Sequence, residues 1–269
     1  MLIDQRLIIT GIVTTDSIAY AVAQRAQRMG AEVLLTTRPA DRVLTETAAA
    51  QLPRAAAIVD LDVNDQEDLE ALRDHVGREL GGLDGILHAV AFAPRDALAG
   101  DFLAADPDGV NLAFQTSAFS YASLGRILAE LAPDRGGALV GLDFDAGGGA
   151  WPVYNWMGVC KAALQSVNRY LARDLGPRRI RANLVAAGPL LTRAAGGIPD
   201  FEKLLDAWET GAPMQWDARD PGPVADAVCF LLSDHARAIT GEILHVDGGY
   251  HAMAGALRPA SVAAEPVMP

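Results

Sequence analysis

The chain has 269 residues, of which 51% are hydrophobic and 21% are charged, and its formal net charge is −12. This composition excludes a disordered chain, and the negative charge argues against non-specific binding to nucleic acid or to an anionic membrane. No apolar run reaches the roughly 18 residues of a membrane helix, and the two cysteines, Cys160 and Cys229, provide neither a disulfide framework nor a metal site. We therefore expect a reduced, cytoplasmic protein without a metal.

Apolar runs and amphipathic stretches alternate along the whole chain. The predicted strands are Leu7–Gly11, Glu32–Thr37, Ala57–Leu61, Gly85–Ala91, Ala138–Phe144, Ile180–Ala186 and Glu242–Val246. The predicted helices are Ser17–Gly30, one ending near Leu52, Asp65–Leu80, Pro107–Leu131, Trp151–Leu175 and Pro223–Leu232. Strands separated by helices predict a single doubly wound α/β domain over residues 1–254, with a mostly parallel sheet of about seven strands. The Ala- and Pro-rich tail, residues 255–269, is predicted to be disordered.

The end of the first predicted strand has the order of a phosphate-binding turn. Gly11 ends the strand, and Ser17 opens the helix that follows. A helix N-terminus after such a turn binds pyrophosphate, because free amides and the helix dipole face the anion. Thr15 and Ser17 replace the later glycines of the usual fingerprint, Gly11 is compatible with an ordinary turn, and Ser17 is compatible with a simple N-cap. We expect a Rossmann-type dinucleotide site with contacts from Gly11, Ile12, Ser17 and Ile18.

The carboxyl ends of the later strands supply further cofactor candidates, because ligands of such folds bind in the crevice beyond those ends. These candidates are Arg38, Asp62, Val63, Ala89, Val90, Ala91, Leu142, Asp143, Ala187, Gly188, Pro189, Leu190 and Thr192. No acidic residue closes the second strand to select a ribose 2′-hydroxyl, and Arg38 stands there instead. Since arginine attracts a 2′-phosphate, the choice between NADH and NADPH stays open. Asp62 is also compatible with a turn.

Lys161 follows Tyr154 by seven positions, in the run Tyr-Asn-Trp-Met-Gly-Val-Cys-Lys. Two turns of helix span about 7 residues, so a helix here predicts both side chains on one face. A phenol in that position can donate a hydrogen bond to a substrate carbonyl while the ammonium holds the cofactor ribose. Lys161 and Lys203 are the only lysines of the chain, which indicates that Lys161 has a task that arginine does not perform.

Four motifs in chain order resemble those of the enoyl-acyl-carrier-protein reductases of the short-chain dehydrogenase superfamily. They are Gly11 with Ser17-Ile18-Ala19, the run Tyr154–Lys161, Asn183–Pro189 and Thr240–Gly249, and the resemblance extends from about Leu7 to His251. Ordinary short-chain dehydrogenases place the lysine four residues after the tyrosine, where this chain has Gly158. The runs Ser117–Ser123 and Gly141–Asp145 are similar to the mycolate-pathway branch of the family.

The resemblance implies hydride transfer from NADH, or from NADPH, to the β-carbon of a trans-2-enoyl thioester in fatty acid biosynthesis. Tyr154 would donate a hydrogen bond to the thioester oxygen, Lys161 would hold the nicotinamide ribose, and Phe144 would form an apolar wall of the catalytic site. Phe144 is equally compatible with core packing. The resemblance also implies an acyl thioester on acyl carrier protein or coenzyme A as the substrate, and a homotetramer with Val246–His251 near its subunit contacts.

Three departures from the family pattern leave alternatives open. Ala89 stands where relatives usually have a serine, and the segment after Thr192 is shorter than the lid of the mycolate branch, which implies short or medium acyl chains. Only Lys203 is basic on the helix after that segment, so acyl carrier protein and coenzyme A are both retained as carriers. A reductase of a polyketide or other specialised pathway, and a catalytically silent NAD-binding regulator, are the alternative functions. His88 is predicted to be a satisfied core residue.

Overall fold

Seven parallel strands form the centre of the computed structural model, which describes residues 1–144 and 149–258. The strands are β1 (Arg6–Ile9), β2 (Glu32–Thr37), β3 (Ala57–Asp60), β4 (Gly85–His88), β5 (Gly137–Asp143), β6 (Ile180–Ala187) and β7 (Ile243–Val246). Their order across the sheet is β3-β2-β1-β4-β5-β6-β7, and every neighbouring pair is parallel. The prediction of a single doubly wound α/β domain with about seven strands is therefore confirmed.

Helices connect the strands and cover both faces of the sheet. They are α1 (Ile18–Arg28), α2 (Arg42–Ala49), α3 (Gln66–Glu79), α4 (Arg95–Leu98), α5 (Pro107–Phe114), α6 (Ser120–Leu131), α7 (Asn155–Leu175), α8 (Glu202–Gly211) and α9 (Gly222–Leu232). Short 3-10 turns occur at Pro39–Asp41, Phe102–Ala104, Gly176–Arg178, Ala195–Gly197, Asp234–Ala236 and Tyr250–Ala252. In the described residues, no helix is long and apolar enough to cross a membrane.

Alternation along the strands divides the buried core into two layers, because successive side chains of a strand point to opposite faces. Leu7 and Ile9 of β1 pack with α1 and α9, whereas Ile8 packs on the other face with α3, α6 and α7. A third cluster of buried apolar side chains lies outside these layers, at the carboxyl end of the sheet. This third cluster contains Phe144 and Tyr154 and therefore belongs to the candidate site.

A π-helical turn, Gln115–Phe119, interrupts the helix predicted over Pro107–Leu131 and separates it into α5 and α6. The Ser117 hydroxyl within this turn donates to the carbonyl oxygen of Phe92 at 3.1 Å, and Ser120 donates to that of Thr116 at 2.7 Å. A π turn inserts an extra residue into a helix and is frequent at functional sites. Apolar periodicity alone does not reveal such an insertion, whereas the predicted ends of this helical stretch, Pro107 and Leu131, are confirmed.

The N-terminus of α7 also differs from the prediction, since the helix begins at Asn155 and not at Trp151. Pro152 disfavours the helical conformation at the residue before it, and Asn155 has a φ of 32°, which turns the chain sharply into the helix. Tyr154 consequently precedes the helix, and its carbonyl oxygen accepts a hydrogen bond from the Gly158 amide at 3.1 Å. The predicted shared helical face of Tyr154 and Lys161 is therefore incorrect.

Two further predictions differ from the structure or reach beyond the residues that it describes. The strand predicted over Gly85–Ala91 stops at His88, so Ala89, Val90 and Ala91 lie in the loop at its carboxyl end. Of the predicted tail, residues 259–269 lie outside the described residues, and the boundary at 254 stays a prediction.

Candidate active site

Gly11 holds the end of β1 against the loop that follows β4. Its φ is 81°, a left-handed conformation that favours glycine, and a Cβ added there would lie 2.0 Å from the carbonyl oxygen of Ala89. The Thr10 hydroxyl joins the same two segments, because it donates to the carbonyl oxygen of Leu87 at 3.0 Å and accepts from the Ala89 amide at 2.9 Å. From β1 the sheet grows on one side through β2 and β3, and on the other side through β4 to β7. The close approach therefore lies at the topological switch point, where open α/β sheets bind ligands.

Ser17 caps α1, as the sequence predicts. Its hydroxyl accepts a hydrogen bond from the Tyr20 amide at 3.3 Å and donates to the carbonyl oxygen of Thr14 at 2.7 Å. The adjacent candidates face the core: Ile12 is buried, its carbonyl oxygen accepts from the Thr45 hydroxyl at 2.7 Å, and Ile18 packs partly against the same core layer. The helix N-terminus therefore offers backbone amides to a phosphate, and a phosphate contact of the Ser17 hydroxyl stays a prediction.

Arg38 lies at the end of β2, where the 2′-phosphate of NADPH would bind. Its guanidinium forms an ion pair with Asp41 at 2.6 Å. A carboxylate thus already neutralises this cation and would repel a phosphate next to it. Asp62 lies past β3 with its carboxylate accepting from the Asn64 amide at 2.9 Å, as in a turn, while the Val63 side chain is buried in the core.

The loop after β6 is held by two tryptophans that the sequence analysis did not single out. A Cβ on Gly188 would lie 2.7 Å from the indole nitrogen of Trp208 and 2.7 Å from the ring of Trp216. Trp216 also donates to the carbonyl oxygen of Pro189 at 2.7 Å. Ala187 and Leu190 are buried beside them, and the Thr192 hydroxyl accepts from the Ala195 amide at 3.2 Å. Gly188 is therefore required by close packing, and Thr192 closes a local turn.

Tyr154 is buried at the carboxyl end of β5, with its ring 5.0 Å from that of Phe144. Burial raises the pKa of the Tyr154 phenol, and the negative charges of Asp143 and of a Cys160 thiolate raise it further. The phenol consequently stays protonated through the neutral range. A buried neutral phenol is a hydrogen-bond donor and not a base at neutral pH.

Lys161 is anchored to the same strand end. Its ammonium is buried and donates a hydrogen bond to the carbonyl oxygen of Leu142 at 2.8 Å, which leaves further N–H groups to contact a ligand. Burial lowers the pKa of Lys161, and the neighbouring Asp143 carboxylate raises it. Asp143 is itself fixed, because it accepts from the Gln165 amide nitrogen at 2.8 Å. The structure thus brings Tyr154, Lys161 and Phe144 together around the end of β5.

His88, at the end of β4, differs from the satisfied core residue that the sequence predicts. Its Nε2 lies 2.7 Å from the Ser120 hydroxyl, whose proton goes to the carbonyl oxygen of Thr116. Nε2 therefore carries the imidazole proton, and Nδ1 is a buried acceptor without a hydrogen-bond partner among the described residues. Burial, together with the positive charge of Lys161, lowers the pKa of His88 to about 3. The imidazole next to the site is therefore neutral.

Aromatic rings from three separate segments pack beside Phe144. Trp151 precedes α7, Trp208 lies on α8, and Tyr250 follows β7. Ring centroids are separated by 5.2 Å between Phe144 and Trp151, by 5.5 Å between Phe144 and Trp208, and by 4.0 Å between Trp208 and Tyr250. Sequence reasoning did not place these rings in the site. The available signal was the position of all four tryptophans of the chain near the candidate motifs, at 151, 156, 208 and 216.

The first turn of α8 offers little positive charge to an acidic partner. Lys203 is paired with Asp200 at 2.5 Å, and Glu202 adjoins it. In the described residues no group of three or more histidine, cysteine, aspartate or glutamate side chains is arranged to hold a metal ion.

The sheet order, the glycine turn after β1 and the buried tyrosine and lysine define a dinucleotide-binding α/β protein of the short-chain dehydrogenase type. A family model described as "Enoyl-(Acyl carrier protein) reductase" matches residues 11–251. The chain is 40% identical over 260 residues to the enoyl-[acyl-carrier-protein] reductase [NADH] of Mycolicibacterium smegmatis, covering 91% of this chain and 95% of that one. The chain belongs to the enoyl-(acyl carrier protein) reductase family.

More distant relatives are similar over the same extent. The enoyl-[acyl-carrier-protein] reductase [NADH] FabI of Bacillus cereus is 35% identical over 246 residues, with 91% of this chain and 95% of that protein covered. The FabI of Escherichia coli is 34% identical over 249 residues, with 91% and 94% covered. The higher identity to the mycobacterial protein agrees with the resemblance to the mycolate branch.

Proposed function

We propose that the protein is an NADH-dependent enoyl-[acyl-carrier-protein] reductase, which reduces trans-2-enoyl thioesters in fatty acid biosynthesis. The observation that carries this proposal is the buried, protonated Tyr154 beside the buried Lys161 ammonium at the end of β5. Relatives that are 40% identical over nearly their whole length bear this activity in their names.

The residues present fit a dinucleotide. Because Gly11 has no side chain and lies against Ala89, the switch point is formed by backbone atoms. The first turn of α1 presents its amides to a pyrophosphate. Bound NADH would supply the hydride that goes to the β-carbon of the substrate. NADH is preferred over NADPH because Asp41 neutralises Arg38, the cation nearest to a 2′-phosphate.

Tyr154 stabilises the negative charge that develops on the substrate. Reduction at the β-carbon moves electrons onto the thioester oxygen, which becomes an enolate, and the α-carbon then takes a proton. A phenol whose pKa is raised by burial keeps its own proton, so it can donate a hydrogen bond to that oxygen throughout the reaction. Because the donor lies in a dry site, its hydrogen bond counts more than it would in water.

Lys161 orients the cofactor. One of its N–H groups is fixed by the carbonyl oxygen of Leu142, and the others would hold the nicotinamide ribose of a bound cofactor. Burial lowers the pKa of Lys161, and the negative charge of the neighbouring Asp143 opposes this effect and favours the ammonium form. Phe144 packs against the Tyr154 ring and limits its movement.

The test of this proposal is the oxidation of NADH, followed by absorbance, with trans-2-octenoyl thioesters of acyl carrier protein and of coenzyme A. We expect oxidation that depends on the enoyl thioester and is slower with NADPH. If the protein binds NADH but reduces no enoyl thioester of any length on either carrier, the proposal is wrong, and a silent regulator or a tailoring enzyme replaces it.

The carrier and the assembly form part of the proposal. The carrier is acyl carrier protein, as in the names of the relatives, although the paired Lys203 leaves only a weak local attraction for an acidic partner. The assembly is a homotetramer, supported by apolar side chains that stay exposed on the single chain along α5, the π turn and α7, namely Leu112, Phe114, Phe119 and Val159. The location is the cytoplasm, in keeping with two free, buried cysteine thiols.

A further inference from the structure

Three aromatic rings pack in the same buried apolar cluster as Tyr154, and we call Trp151, Trp208 and Tyr250 the aromatic wall. The three rings contact one another, with centroids 5.2 Å apart for Trp151 and Trp208, 5.7 Å for Trp151 and Tyr250, and 4.0 Å for the stacked Trp208 and Tyr250. Phe144 lies between the wall and Tyr154, in contact with both. Only the Phe144 ring therefore separates the wall from the ring of Tyr154, whose hydroxyl would contact the substrate.

The wall is fixed by the backbone behind it. Trp208 donates from its indole nitrogen to the carbonyl oxygen of Asp247 at 3.0 Å, and a Cβ on Gly211 would lie 2.6 Å from the Tyr250 ring. The carboxylate of Asp247 in turn accepts from the His251 amide at 2.8 Å, which holds the turn that carries Tyr250. Moving the wall would break these hydrogen bonds or separate α8 from the segment after β7.

An acyl chain bound beside Tyr154 would extend toward the aromatic wall. A thioester carries its carrier on the sulfur side, and this end must reach solvent, so the acyl end would enter the buried apolar cluster around Tyr154. The cluster can yield on the side of α4, a single helical turn that contributes Leu98, because one turn has little stability of its own. It does not yield on the side of the wall.

We propose that the aromatic wall ends the acyl-chain site and restricts the protein to short trans-2-enoyl thioesters, with chains no longer than that of octenoyl. This inference rests on the proposed reductase function and adds the substrate class. Each buried methylene improves binding about fourfold, which is the fold-change equivalent of its transfer free energy. That gain ends where the chain meets the wall, and a longer chain must overpack the cluster or leave it.

The experiment is a chain-length series of kcat/KM with NADH and the trans-2-butenoyl, octenoyl, dodecenoyl and hexadecenoyl thioesters of coenzyme A. The wild type is compared with Trp151→Ala and Tyr250→Leu, which remove wall rings without touching the Trp208 hydrogen bond. Tyr170→Ala is the matched control, because this exposed ring stacks only on Arg173, 4.8 Å away, within the outer part of α7. Circular dichroism and NADH titration establish that each variant is folded.

For the wild type we expect kcat/KM to fall about tenfold or more from octenoyl to dodecenoyl. Trp151→Ala and Tyr250→Leu should raise the ratio of kcat/KM for dodecenoyl to kcat/KM for butenoyl about tenfold above that of the wild type. Tyr170→Ala should reproduce the wild-type profile.

Two outcomes overturn the inference and leave the reductase function intact. One is a wild type that reduces hexadecenoyl as efficiently as octenoyl, a result that needs no variant. The other is a parallel loss at all chain lengths in folded wall variants, as a structural role would give. Absence of turnover with every thioester would instead contradict the reductase function itself.

Discussion

At the scale of single residues, the site depends on two buried polar groups whose protonation is set by their surroundings. Burial and the charge of Asp143 act in the same direction on Tyr154, and both keep the phenol protonated. For Lys161 the two causes oppose each other, because burial disfavours the ammonium while Asp143 favours it. The negative charge of Asp143 thus favours both the protonated phenol of Tyr154 and the ammonium form of Lys161.

Replacing Tyr154 by phenylalanine removes one oxygen atom and keeps the ring packing against Phe144. We expect kcat to fall by about 10²–10³, the loss typical of one oxyanion donor, while the Kd for NADH stays within about threefold. Steady-state kinetics and fluorescence titration of NADH measure the two quantities. An unchanged kcat would assign the stabilisation of the enolate to another group.

His88 makes stability dependent on pH. Its pKa is lowered to about 3 in the fold, so between that value and the unfolded pKa, about 6.5, the unfolded chain binds more protons. The stabilising contribution is therefore complete above about pH 6.5 and is lost as the pH falls, at up to about 1.4 kcal/mol per pH unit.

The measurement is urea unfolding at about pH 7.5 and about pH 5.5 for the wild type and for His88→Leu. The wild type should lose more of its free energy of unfolding than the variant between these two pH values, because leucine does not titrate. His75→Leu, at a half-buried position of α3, is the matched control for the loss of one imidazole. Equal pH dependence of wild type and His88→Leu would contradict the assignment.

At the scale of elements, the turn after β1 is a junction that a side chain would break. Gly11 has a positive φ, and its Cβ position overlaps the Ala89 carbonyl oxygen at 2.0 Å. Gly81 has a similar conformation, with φ 65°, and open space around it. Comparison of the two glycines separates the cost of the backbone conformation from the cost of the close approach.

Gly81→Ala should lower the free energy of unfolding by about 1–2 kcal/mol, the cost of a left-handed alanine. Gly11→Ala should cost more than this, because β1 must separate from the β4 loop, and it should weaken NADH binding about tenfold or more. Denaturant unfolding and NADH titration measure both effects. If the two variants lose equal stability and bind NADH alike, the close approach at Gly11 has no role in the cofactor site.

The elements themselves were largely predictable, and their ends were not. Apolar runs and the Ser17 cap predicted strands and α1 within a few residues, because burial and capping are local signals. Apolar periodicity does not encode the π turn at Gln115–Phe119, and the late start of α7 at Asn155 follows from Pro152, which the prediction of this helix did not take into account. The candidate residues Tyr154 and Lys161 were singled out by their motif, which did not give the geometry that joins them, and their roles in the site stay predictions.

The aromatic wall illustrates what a single sequence conceals. Trp151, Trp208 and Tyr250 come from three distant segments and share no spacing pattern, so their contact arises only when α8 and the segment after β7 close over the end of β5. The predicted phosphate contact of Ser17 and the cofactor role of Thr192 stay predictions, although both hydroxyls already serve local turns.

At the scale of the whole molecule, apolar side chains concentrate on the surface formed by α5, the π turn and α7. Phe119 is 56% exposed and Val159 is 45% exposed, whereas most large apolar side chains are buried in the two core layers. Contiguous exposed apolar surface on a folded chain marks an interaction site. A symmetric assembly would cover this surface with the same surface of another copy.

Phe119→Glu should therefore shift the protein to a smaller species, because a buried, unpaired carboxylate is costly in an apolar interface. Val43→Glu is the matched control, since Val43 is 73% exposed on α2, on the other face of the sheet. Light scattering coupled to size-exclusion chromatography gives the mass of each variant. A monomeric wild type, or loss of assembly in both variants, would contradict the proposed interface.

The positions of the tryptophans give the molecule an internal optical reporter. Trp208 and Trp151 face Phe144, Trp216 bonds to Pro189, and Trp156 stacks on Phe102 at 4.5 Å, two residues after Tyr154. These are all four tryptophans of the chain, and all pack in one apolar cluster, so its indole emission originates there. Reduced nicotinamide absorbs where indole emits, and cofactor and acyl chain would therefore change the colour and the intensity of this light without any attached dye.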